Sequence, residues 1–86
     1  MKVELREGEN PRWTMCRAAM GREPRAWEFA LWNGEQWRRF LEHLGLKRVP
    51  NETASTTIFL ALGVDEGQKA YDSWLLEQVE KGLTPG

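Results

Sequence analysis

Eighty-six residues allow one domain with a thin core, because a chain of this size buries only about 60% of the surface that its unfolded form exposes. With 41% hydrophobic and 29% charged residues the chain is composed to fold, and twelve Lys plus Arg against thirteen Asp plus Glu exclude the polycation that generic nucleic-acid or membrane-surface binding requires. A single cysteine, Cys16, and a single histidine, His43, exclude an intramolecular disulfide and a four-ligand Cys/His zinc site, and they point to a reducing, cytoplasmic setting.

Taken in chain order, Lys2 to Glu7 alternates, with Val3 and Leu5 on one face and Glu4 and Arg6 on the other, which is the period-2 pattern of a half-buried strand. No signal peptide is expected here, since the opening has no apolar stretch. Gly8-Glu9-Asn10-Pro11 ends the strand, and Gly21-Arg22-Glu23-Pro24 repeats that punctuation thirteen residues later, each time followed by Arg and then Trp. Two such turns predict a meander of short strands. The segment between them, 11–20, reads two ways. As a helix it has Asn10 as N-cap, Pro11 at the first position, Trp13, Cys16 and Met20 on one side, and Gly21 past its end. As a strand its alternation is poor, but it fits the meander, and the repeated turns favour that reading.

Trp27, Phe29 and Leu31 alternate with Glu28 and Ala30 up to Asn33-Gly34, which predicts another strand. Asn33 with Gln36 three residues on resembles a capping box, and Trp37, Phe40, Leu41 and Leu44 then fall at i, i+3, i+4 and i+7, predicting a helix over about 34–44 with Gly45 past its end. Ser55 to Leu62 is apolar and β-branched without alternation, the composition of a strand covered on both faces, closed by Gly63. Asp65 and Gln68 open a helix of roughly 66–81, ended by Gly82, whose stripe is Ala70, Tyr71, Trp74, Leu75 and Val79. The sum is an α+β fold: a single domain over 1–82 with a short tail at 83–86, built as a three- to four-stranded, mainly antiparallel sheet with two helices on one face, in the order β-β-β-α-β-α. The alternative is all-α, with 12–20 and 24–32 as helices, against which Thr56-Thr57-Ile58-Phe59-Leu60 argues.

Little in the chain suggests catalysis. Cys16 and His43 are the one pairing of a nucleophile with its own base, and they lie on unrelated elements; a small buried cysteine and a solvated histidine account for them more simply. The glycines sit where turns and helix ends want them, and no phosphate-binding G-x-G-x-x-G occurs. No catalytic residue, no metal site and no cofactor is therefore expected, and the chain reads as non-enzymatic. Its longest apolar run, Ile58 to Val64, is far below the roughly 18–20 residues that cross a bilayer, so no membrane partner is expected.

Charge is unevenly distributed. Residues 1–50 hold ten Lys/Arg against seven acids, and residues 51–86 hold two against six; the basic half also carries four of the five tryptophans. Arginine beside tryptophan serves single-stranded nucleic-acid surfaces and protein–protein hot spots alike. Trp27, Trp37 and Trp74 are in phase with apolar stripes and are expected in the core, whereas Trp13 and Trp32 are the candidates for exposure. The candidate binding residues are Arg12, Trp13, Arg22, Arg25, Trp32, Arg38 and Arg39. The expected function is a small protein-interaction module working through a sheet face or edge; single-stranded nucleic-acid binding by the Arg/Trp surface is the alternative, and self-association as a structural subunit a third.

Overall fold

A computed structural model describes residues 4–81. The strand favoured for 11–20 is corrected to the first helix, α1 (Pro11–Met20), because its local caps outweigh the repeated turns: the Asn10 side-chain oxygen accepts the Arg12 backbone N–H at 2.8 Å, Pro11 takes the first position, and Gly21 ends the helix in the left-handed region at φ 73°. The second helix, α2 (Ala26–Leu44), starts where Glu28 reaches back to the Arg25 backbone N–H at 2.9 Å, and stops at Gly45, whose φ is 71°. Thr53 caps α3 (Ala54–Leu62) by accepting the Thr56 N–H, and Gly63, at φ 90°, separates it from α4 (Val64–Glu80).

The α+β expectation is corrected by this arrangement: among the described residues there are four helices and no strand. Residues 4–6 of the first expected strand are irregular and turn at Glu7-Gly8, while its residues 2 and 3 lie outside the described residues, as does Gly82. The strand expected at 27–31 and the helix expected over 34–44 are one continuous α2. Phe29, Trp32, Asn33, Gln36, Trp37, Phe40, Leu41 and Leu44 recur at three- and four-residue steps, so a single helical face runs through Asn33-Gly34 rather than stopping there. Asn33 costs little mid-helix because it is used: the Tyr71 hydroxyl donates to its side-chain oxygen at 2.8 Å.

The strand expected at 55–62 is α3. A short apolar run without alternation has no period that separates strand from buried helix, and here tertiary packing overrides β-propensity. Ala54, Thr57 and Ile58 turn inward, and Thr57 satisfies its hydroxyl by donating to the Thr53 carbonyl one turn back at 3.0 Å.

Helix α4 packs against the three others, and α1 and α3 lie apart from each other, joined through α2 and α4. The core is Met15 and Ala19 of α1, Trp37, Phe40 and Leu41 of α2, Ile58 of α3, and Tyr71, Trp74, Leu75 and Val79 of α4. Each such large side chain contributes roughly 1.5–3 kcal/mol on burial. Gly67 lets α3 and α4 approach closely, since a Cβ there would lie 3.0 Å from the Phe59 ring.

Candidate functional site

The seven candidate binding residues do not converge on one surface. Arg12 is spent between helices, its Nη1 3.4 Å from Asp72 Oδ1, with both side chains partly covered. Arg22 grips Glu28 with both terminal nitrogens, at 3.0 and 2.5 Å. That fork, together with the Arg25 backbone N–H, holds the Glu28 carboxyl down at about 2. Arg38 and Arg39 both pair with Glu35, one turn before them on α2. Arg25 is exposed at the start of α2 and makes no ion pair among the described residues.

The tryptophans divide differently from expectation. Trp37 and Trp74 are core residues as expected. Trp13 and Trp32 are half-buried on either side of Phe29, with ring centroids 5.2 and 6.3 Å from it. The Trp13 indole N–H donates to Glu23 Oε1 at 3.2 Å, whereas that of Trp32 is buried without a partner. Trp27, placed in the core by its apparent strand phase, is 59% exposed, and Leu31, four residues on, is 68% exposed. The strand reading put Trp27, Phe29 and Leu31 on one face; the helix turns Phe29 inward and the other two outward. Leu31 is absent from the seven candidates, and the signal that marks it is helical phase: once 29, 32, 36 and 40 form the inner face, 27, 31, 34 and 38 must form the outer one.

Beside this outer face lies an open groove of about 810 Å³ between α2 and the start of α3. Phe29, Trp37 and Ala54 contribute its apolar lining, and Leu31, Arg38 and Arg48 stand along it. The exposed small residues Ala30 and Gly34 leave the space open. Arg38 is already engaged by Glu35, and Arg48 makes no ion pair among the described residues. The groove thus offers apolar contact and a mild positive charge, with Glu35 and the hydroxyls of Thr53 and Ser55 also on its lining. A second, smaller pocket of about 290 Å³ is lined by Arg6, Arg17, Arg22 and Glu23. Its arginines are committed: Arg17 to Glu9 at 2.9 Å and Arg6 to Glu23 at 3.0 Å.

The remaining reactive groups, Cys16, His43 and Tyr71, line neither pocket. Cys16 is 0% exposed, and burial pushes its thiol up to about 11, so no thiolate forms near neutral pH. His43 is exposed at the last turn of α2, its ring 6.3 Å from Phe40 and 6.1 Å from Trp74. Burial likewise pushes the Tyr71 hydroxyl up, and it serves as a donor to Asn33. Among the described residues no group of three or more His, Cys, Asp or Glu is placed to hold a metal ion, and no helix is long and apolar enough to cross a membrane. Set against known protein families, curated proteins and solved structures, this chain matches none.

Proposed function

We propose that the chain is a small, non-enzymatic protein-interaction module, and that the outer face of α2 and the α2–α3 groove take an apolar segment of a protein partner. The helical fold moves the expected contact from a sheet face to this helix face. The observation that carries the reading is the pair Trp27 and Leu31, a large aromatic and an aliphatic side chain left open one turn apart on a helix whose opposite face fills the core. Tryptophan is the side chain most enriched at binding hot spots, and an apolar patch beside an open groove is where such an anchor works. The nucleic-acid alternative has weaker support, because Arg12, Arg22 and Arg38 are already bound to carboxylates and Trp13 and Trp32 are partly covered by Phe29.

Selection of displayed random peptides on the full chain tests the reading. Enriched peptides that bind the wild type and lose roughly tenfold or more in affinity against Leu31→Glu support it. Selection that yields no peptide dependent on Leu31 or Trp27 overturns it.

A further inference from the structure

The groove is not the only apolar surface left open. Across the α3–α4 junction, Leu60 and Val64 are 69% and 64% exposed, and Leu62 lies between them. Gly63, at φ 90°, breaks the helix here, and the exposed Leu60, Leu62 and Val64 on either side of it make a short apolar ridge. Asp65 and Glu66 follow at once in the first turn of α4. Neither makes an ion pair among the described residues, and Arg25, Lys47 and Arg48 on the basic half of the chain make none there either. Internal pairing therefore leaves Arg25 and Arg48 unmatched near the Trp27–Leu31 face, with Glu52 the unpaired acid close to Arg48, and Asp65 and Glu66 unmatched beside the Leu60–Val64 ridge, with Lys69 the unpaired cation one turn on, so that the two sides keep opposite net charges.

Resting on the groove reading above, we infer that its occupant is a second copy of this chain, whose Leu60–Val64 ridge seats on the Trp27–Leu31 face while its Asp65 and Glu66 approach Arg25 and Arg48. Because each copy carries both surfaces, a two-fold arrangement makes the contact twice: residue i meets residue j, and j meets i. The doubling matters for size. Two side chains fall well short of the roughly 1,200 Å² of total surface at the low end of specific interfaces, and a two-fold contact covers four patches at once. The opposite charges set the pairing, since ridge on ridge or face on face brings like charges together.

Sedimentation equilibrium of the full chain from roughly 10 μM to roughly 1 mM tests this. The mass is expected to move from one toward two subunits, and Leu31→Glu and Val64→Glu each to weaken association roughly tenfold or more, with helical circular dichroism unchanged because both positions are exposed. Charge reversal supplies the specific arm. A chain with Arg25→Glu and Arg48→Glu, and another with Asp65→Arg and Glu66→Arg, are each expected to stay monomeric alone and to pair when mixed, since mixing restores opposite charges at both contacts. A single-subunit mass at the highest concentration, a dimer indifferent to Val64→Glu, a mass growing past two subunits, or reversed chains that fail to pair on mixing each overturn the inference. If the chain is monomeric and displayed peptides still depend on Leu31, the groove stands and its occupant is another protein; if neither result appears, both readings fall.

Discussion

The two halves of α2 carry similar side chains into different surroundings. In the C-terminal half, Trp37 stacks on Tyr71 with ring centroids 3.5 Å apart, Phe40 packs on Trp74 at 5.4 Å, and both α2 rings are buried under α4. The N-terminal half carries more aromatic weight, in Trp27, Phe29 and Trp32, but less cover: Phe29 and Trp32 are half-buried, the Trp32 N–H lacks a partner, and Trp27 and Leu31 face outward. The Tyr71 hydroxyl on Asn33 marks the boundary between them. Along α2 the burial of a tryptophan is decided by the helix face it lies on and by what packs against that face, not by its residue type: α1 covers Phe29 through Trp13, and the outward residues Trp27 and Leu31 are where a partner has something to cover.

Denaturation in urea measures how sharp that contrast is. Trp37→Ala is expected to cost about 3–5 kcal/mol, because it removes a large stacked ring from a packed core, while Trp27→Ala stays within about 0.5 kcal/mol. Equal losses would erase the contrast between the halves. At the boundary, Tyr71→Phe deletes the hydroxyl and leaves the Asn33 oxygen short of a donor, for an expected loss of about 1–2 kcal/mol. In the outer half, Gly34→Ala is expected to stabilise by about 0.5–1 kcal/mol: its φ is ordinary, and an added Cβ meets nothing within 4 Å. A destabilising Gly34→Ala would mean that this part of α2 needs the glycine for something other than space.

The smallest effect concerns acid. Glu28 has its carboxyl held down from 4.5 to about 2 in the folded chain, chiefly by the Arg22 fork. A depressed carboxyl contributes stability that is present above the unfolded value and is lost as pH falls through the folded one, so this contribution fades between about 4.5 and about 2. The effect is small because Arg22 is largely solvated. Glu28→Gln is expected to flatten the acid limb of the urea midpoint; an unchanged limb would show that the pair does not form in solution.

Where local chemistry fixes a boundary, the fold was legible in the sequence. Asn10-Pro11 and Gly21 bracket α1, Gly45 ends α2, Gly63 parts α3 from α4, and the stripes at 37–44 and 70–79 lie on the helices they were expected to form. Three features misled for physical reasons. The repeated Gly-x-x-Pro-Arg turns suggest a strand meander and favour a strand at 11–20, yet each leads into a helix. Asn33-Gly34 has the composition of a turn, and its mid-helix role depends on Tyr71, 38 residues away. Thr56-Thr57-Ile58 has β-branched composition, and nine residues of apolar run carry no period that opposes a strand. The site inherits the error at Asn33. A chain broken at 33 places Trp27 and Leu31 inward together, and it hides the pairing of Arg38 and Arg39 with Glu35, which becomes visible only once 34–39 is read as helix surface; Asp72, the partner of Arg12, is remote in sequence.

Solvent exposure of the five tryptophans, read by fluorine NMR of the 5-fluorotryptophan-labelled chain as the shift between water and deuterium oxide, tests the central claim most directly. In dilute solution Trp27 is expected to show nearly the shift of a free peptide, Trp13 and Trp32 intermediate shifts, and Trp37 and Trp74 almost none. A dilute monomer in which Trp27 is as protected as Trp37 would contradict an open α2 face and remove the ground for a binding site there.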